Sequence, residues 1–216
     1  MFFSKLTLDD VIPPFDLREY RKRLRVAIVD DEPENFPIDS LQKIGFNIHA
    51  IKQVNAHVKN QLQAGEYDII VLDIGGVAKD EPDDGWSVLA SIKGVRPEQV
   101  VIAFSGQSFD FTKSAFFDLA DDWLPKPTTA AKTEAVLNNM ITEKLTLSAR
   151  WQGVADQLRV RGLTGGAINS IEHRLAKTIR AREPFDMSHS RALLKDVKLT
   201  AEVGLSLVKL VGVALA

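Results

Sequence analysis

Three short, unbroken apolar runs constrain this chain more than anything else in it: Arg25–Val29 (RVAIV), Asp68–Leu72 (DIIVL) and Val100–Phe104 (VVIAF). They are rich in Val and Ile and continuous rather than alternating, which is how strands covered on both faces read. Phe46–Ile51 (FNIHAI) and Asp122–Leu124 (DWL) complete a set of five. Between the runs lie segments with helical spacing. Ile38, Leu41 and Ile44 share one face, as do Val54, Val58 and Leu62; Trp86, Leu89 and Ile92 repeat the spacing, and so do Phe116, Leu119 and Ala120. Gly45, Gly65 and Gly94 mark breaks. Strands alternating with single helices imply βαβ units, right-handed crossovers and a parallel sheet. The expected fold is therefore α/β, a doubly wound five-stranded parallel sheet followed by a helical C-terminal region.

The pattern divides the chain into an N-terminal arm (1–24), an α/β domain (25–150) and a helical region (151–216). The arm carries Pro13–Pro14 and a basic cluster, Arg18 to Arg25. Beyond Thr128 the sequence turns helical, and one helix is expected from Thr128 past Trp151, since no Pro or Gly occurs before Gly153. Gly162, Gly165 and Gly166 mark the next break. An amphipathic segment with Ile168, Ile171, Leu175 and Ile179 follows, interrupted by Pro184; a third helix is expected from Asp186 or Ser188 through Leu193, Val197 and Ala201. Charge is uneven. From Leu145 onward, eleven basic residues face six acidic ones, whereas the preceding residues carry 16 basic and 23 acidic. Such asymmetry points to two functional units.

Cysteine is absent, which excludes disulfides, thiolate metal sites and a cysteine nucleophile and fits a reducing cytoplasm. The start, MFFSKLTLDD, lacks the basic and then apolar pattern of a secretory signal. No stretch reaches the roughly 18 apolar residues of a spanning helix. The apolar tail Val203–Ala216 is short and broken by Lys209, so it reads as a buried or partner-covered helix.

In an open parallel sheet, ligands bind outside the carboxyl ends of the strands. Asp30, Asp31 and Glu32 follow the first run, Asp73 the third, Ser105–Gly106 the fourth and Pro125–Lys126–Pro127 the fifth. Carboxylates, a hydroxyl and an ammonium thus converge on one edge. Clustered carboxylates repel one another, and a hard divalent cation such as Mg2+ relieves the repulsion. A carboxylate beside such a cation can act as a nucleophile toward phosphorus. The transferred group then needs positive charge on its equatorial oxygens, supplied here by the metal and a lysine.

The motifs VAIVDDEPEN, YDIIVLDI, DDGWSVL, VVIAFSG and ADDWLPKP, in this order, resemble the receiver domains of two-component response regulators over about Arg25 to Arg150. The resemblance implies a flavodoxin-like receiver in which Asp73 accepts a phosphoryl group. Asp31 would bind Mg2+ directly, Asp30 largely through water, and the carbonyl of Gly75 would complete the metal ligands. Ser105 would be the switch hydroxyl, Lys126 the phosphate-binding ammonium and Trp123 the aromatic that moves with phosphorylation. Gly75 and Gln107 would flank the route of the hydrolytic water. The chain departs from the family pattern twice. The loop IGGVAKDEPDDG reaches its DG about four residues late, with Val77 where the family has proline, and Trp123 replaces the usual Tyr or Phe.

The implied partner is a histidine kinase or a phosphotransfer protein. The chain would not be an enzyme beyond its own phosphorylation and dephosphorylation. The C-terminal helices would form an interaction or homodimerisation module that needs a partner for its apolar stripe. Two other readings have footing in the sequence. The basic clusters Arg18–Arg25 and Arg174–Arg182 suit a DNA-binding transcription regulator, although neither a helix-turn-helix nor a winged-helix pattern is present. His173 in IEHRL suits a phosphorelay histidine. His49, His57 and His189 lack metal-ligand spacing.

Overall fold

The computed structural model describes residues 6–12, 14–106, 118–183, 207 and 211. The chain forms two compact units, Asp16–Thr142 and the pair of segments Met1–Phe15 and Glu143–Ala216. In the first unit, β1 (Arg25–Val29), β2 (Asn47–Ile51), β3 (Ile69–Asp73), β4 (Val100–Ser105) and β5 (Asp122–Pro125) form one sheet. Its order is β2-β1-β3-β4-β5, and every neighbouring pair is parallel. The three continuous apolar runs are the three central strands. Every residue of β3 and β4 is buried, as is all of β1 except its first. The edge strands β2 and β5 are only partly buried, which explains why their sequences admit polar residues.

Helices α1 (Leu17–Arg23), α2 (Ile38–Lys43), α3 (Ala56–Ala64), α4 (Gly85–Val95) and α5 (Ala130–Met140) belong to this unit. Helices α3 and α4 pack together, and α2 contacts α5. Leu62 of α3 and Val88, Leu89 and Ile92 of α4 share one core with Ala27, Val29, Ile70, Leu72, Val101 and Ala103. The alternate strand residues Val26, Ile28, Ile69, Val71 and Ile102 point to the other face, where they are equally buried. The sheet is therefore doubly wound.

Helix ends follow local chemistry. Asn55 caps α3 by accepting from the Val58 amide, and Gly65 ends it in the left-handed region at φ 74°. The expected α2 face is shorter than its spacing suggested. The helix stops at Lys43, Ile44 lies exposed beyond it, and Phe46 is buried instead. Phe116 lies outside the described residues.

Helix α1 is tied down by Arg21. Its guanidinium reaches Glu134 Oε1 at 2.6 Å and Asn138 Oδ1 at 3.1 Å, and lies 4.9 Å from the Phe46 ring centroid. Arg25 likewise lies over Tyr67, and Lys22 pairs with Glu19. Much of the basic cluster at residues 18–25 thus has partners within its own unit.

The single helix expected from Thr128 past Trp151 is corrected by the structure. Helix α5 ends at Met140, a wide i→i+5 turn spans Ile141–Leu145, and α6 starts afresh at Leu147–Val160. The break is made by Thr146 without Pro or Gly. Its backbone is extended (φ −63°, ψ 153°), and its hydroxyl accepts from the Ala149 amide. Gly153 leaves α6 intact.

In the second unit, Thr164 caps α7 (Gly165–Ala181) in the same way. Trp151, Val154 and Leu158 of α6 form a core with Ile168, Ile171, Leu175 and Ile179 of α7. Leu8 joins this core, and its amide donates to Glu172 Oε1 at 3.4 Å. Leu207 and Val211 are buried in it too, so these two residues of the apolar tail are covered by their own chain. The third helix expected near residues 186–201 lies outside the described residues. Among the described residues, no helix is long and apolar enough to cross a membrane.

Candidate functional site

The carboxyl ends of β1 and β3 lie side by side because the two strands pair in parallel, with Val29 opposite Leu72. One residue further on stand Asp30 and Asp73. Asp30 is 1 % exposed and Asp73 7 %. A carboxylate oxygen from each of Asp30, Asp31 and Asp73 falls within 4.8 Å of the others. Burial of this kind is tolerated only with compensation. Lys126, just beyond β5, supplies part of it: its Nζ lies 2.7 Å from Asp30 Oδ2 and 2.7 Å from Asp73 Oδ2. Backbone amides supply more, since Glu32 donates to Asp30 Oδ1 at 2.8 Å and Gly75 to Asp73 Oδ1 at 3.3 Å.

The electrostatics of the pair follow from this geometry. Burial raises the Asp73 carboxyl above the usual carboxylate range, against the opposing pull of Lys126. For Lys126, burial works against the charge, but the contacts to Asp30 and Asp73 outweigh it and raise the ammonium. Three carboxylates gather here, and the Lys126 ammonium pairs with two of them, Asp30 and Asp73. When all are ionised, two negative charges are left over, which is the charge of one divalent cation. An all-oxygen donor set with this excess fits Mg2+, a hard cation that favours carboxylates and water. Asp30, Asp31 and Asp73 are the residues that would hold it.

Ser105 ends β4, is 4 % exposed, and accepts the Lys126 amide on its carbonyl at 2.8 Å. Lys126 Nζ also lies 4.7 Å from the Phe104 ring centroid, so strand β4 helps set the ammonium. The Lys126–Pro127 peptide is cis. Trp123 is 39 % exposed on the edge strand, with Lys132 Nζ 5.9 Å from its ring centroid. Gly75 is exposed, with open space where a side chain would stand. Gln107 lies outside the described residues. His173 is not at this site: it belongs to the helical unit, where its Nδ1 lies 3.0 Å from the Leu6 carbonyl oxygen.

The longer loop after Asp73 is well packed. Val77 is fully buried in the α3–α4 core, and its carbonyl accepts the Val54 amide at 2.7 Å. Lys59 of α3 binds Glu81 at 2.6 Å. Asp84 receives two amides of the same loop, from Gly76 and from Ala78. Asp84 carries little mark of this role in the sequence. Its only signal there was an Asp preceding the Gly that opens α4.

No protein-family model matches the chain, and no curated protein does either. Solved structures do. NtrX from Brucella abortus superposes with a TM-score of 0.50 at 19 % identity, covering 72 % of this chain and 34 % of that one. A two-component response regulator from Clostridium difficile gives 0.48 at 20 % identity, over 57 % of this chain and all of that one (100 %). The receiver domain of the sensor histidine kinase PA1611 from Pseudomonas aeruginosa, determined with a magnesium ion in its active-site cleft, gives 0.46 at 19 % identity, over 55 % of this chain and 98 % of that one. The fold of the α/β unit is that of the response-regulator receiver, and helices extend it on the C-terminal side.

Proposed function

We propose that this chain is a two-component response regulator whose receiver accepts a phosphoryl group on Asp73 and alters the behaviour of its helical unit. The observation that carries this reading is the Asp30–Asp31–Asp73 cluster, with Asp30 and Asp73 buried and Lys126 bridging these two at 2.7 Å. A carboxylate held beside a divalent cation can act as a nucleophile toward phosphorus. In the step, an Asp73 oxygen forms a bond to phosphorus, and the bond from phosphorus to the donor breaks with its electron pair leaving on the donor. Lys126 then faces the phosphoryl oxygens in place of the neutralised carboxylate. Bound Mg2+ would offset the negative charge gathered there.

Ser105 and Trp123 are the proposed switch pair, a buried residue and a half-exposed one on neighbouring strands. The proposed donor is a histidine kinase or phosphotransfer protein, and the proposed output is the helical unit. The chain is not proposed to turn over any substrate other than its own acyl phosphate. Labelling with acetyl phosphate and Mg2+ tests the reading. Wild type should gain an acid-stable, base-labile phosphate, and Asp73→Asn, still folded, should gain none. Such a label persisting on Asp73→Asn would remove Asp73 from the role.

A further inference from the structure

The loop from Ile74 to Asp84 has a carboxylate at its centre that the proposed chemistry does not use. Asp84 precedes α4, where an aspartate ordinarily caps the helix, yet its side chain makes no cap hydrogen bond. It turns back instead. One oxygen accepts the Gly76 amide and the other accepts the Ala78 amide at 2.6 Å. The backbone of Asp84 is held at φ 51° and ψ −127°, a conformation that L-residues rarely adopt. The chain thus accepts an unfavourable backbone to deliver both oxygens to the loop.

What these amides hold is the wall of the site. Gly76 sits at φ 87°, and a Cβ there would fall 2.5 Å from Asp31 Oδ2. Gly76 is therefore in direct apposition to the Asp31 carboxylate. At the loop's other end, Gly85 donates to the Ile74 carbonyl at 3.0 Å, and a Cβ on Gly85 would fall 2.2 Å from the Asp73 carbonyl oxygen. The loop closes on itself between the acceptor and its neighbouring carboxylate, with the Asp84 carboxylate as the internal tie.

We propose that Asp84 is a positioning residue for the cation site: its carboxylate fixes the loop so that Gly76 backs Asp31 and Gly75 stays beside Asp73. This rests on the reading of Asp30, Asp31 and Asp73 as a Mg2+-assisted phosphoryl site. An aspartate is required because two amides converge on one group. An asparagine offers one acceptor and presents an NH2 to the other amide.

Asp84→Gly is the cleanest test, since glycine adopts positive φ without strain and only the carboxylate is lost. Asp84→Asn serves as the conservative variant. Three readouts are compared with wild type: exchange of the Gly76 and Ala78 amides in metal-free protein, half-saturating Mg2+ by tryptophan fluorescence, and the labelling rate from acetyl phosphate at saturating Mg2+. In Asp84→Gly both amides should lose protection. Half-saturating Mg2+ should rise by roughly tenfold, the low end for loss of an outer-shell partner. The labelling rate at saturating Mg2+ should stay close to wild type, because no reacting atom is removed. Asp84→Asn should lie between the two, and it carries the test alone if the glycine variant does not melt cooperatively. A Mg2+-responsive wild type with unchanged half-saturation in both variants overturns this inference alone, as does a rate loss that saturating Mg2+ does not restore. A wild type indifferent to Mg2+ overturns this inference together with the proposed function.

Discussion

Lys126→Ala removes the ammonium that two buried carboxylates share. The Lys126 side chain is 29 % exposed, against 2 % for the Asp30 side chain and 10 % for that of Asp73. Breaking a buried pair by deleting one partner costs about 3–5 kcal/mol. Solvent reaches this lysine, so screening reduces the figure to roughly 2–3 kcal/mol. In the metal-free protein that corresponds to a fall in Tm of roughly 10 °C. Mg2+ and the ammonium neutralise the same oxygens, so the variant should bind Mg2+ at least as tightly as wild type. A tenfold gain would narrow the stability gap by about 1.4 kcal/mol once both proteins are saturated. Urea denaturation with and without MgCl2 measures both quantities. Equal metal-free stability, or a gap that Mg2+ widens, would refute the shared-counter-ion account. Phosphorylation should still be crippled in the variant, because the lysine is wanted when the phosphoryl oxygens arrive. pH supplies a second handle on the same pair. The folded Asp73 carboxyl lies above its ordinary value, so its contribution to stability is complete below that value and is lost as pH rises through the folded one. Without Lys126 the downward pull is gone, the loss reaches higher pH, and part of the deficit at pH 7 should be recovered on acidification.

Gly76→Ala should cost about 1–2 kcal/mol, through positive φ and the approach to Asp31, and should weaken Mg2+ binding in parallel; a thermal melt paired with a Mg2+ titration decides. Arg21→Ala removes the contacts to Glu134 and Asn138 and should lower urea stability by about 1–2 kcal/mol without changing acetyl phosphate labelling. Thr146→Ala removes the α6 cap and should cost about 1 kcal/mol, read as a helicity loss by circular dichroism on mild heating.

The central strands were legible in the sequence because burial on both faces leaves no polar residue to blur the run, as in Ile69–Leu72. The edge strands were legible mainly by position between helical segments. Asp30, Asp73 and Lys126 could be placed at one edge because parallel pairing brings strand ends together whatever the loops do. What escaped the sequence depended on side chains meeting backbone. Thr146 divides a segment with good helical spacing because its hydroxyl competes for the Ala149 amide, a choice invisible to a search for Pro and Gly. Asp84 escaped for the same reason: its two amide partners lie eight and six residues back along the chain. Ile44 shows the opposite failure, where periodicity ran past the end of a six-residue helix.

One unit of this molecule is inserted into the other. Residues 16–142 form a continuous stretch, whereas Leu8 packs with α6 and α7 and its amide meets a carboxylate 164 positions later. On the ribosome, the α/β unit can therefore close as soon as it has emerged. Leu8 and its neighbours must wait until α6 and α7 follow, leaving an apolar segment without its cover while the α/β unit is made. A fragment cut after the α/β unit would strand that segment permanently. A permuted chain that keeps α6 and α7 next to residues 6–12 would make the same contacts local and shorten the wait.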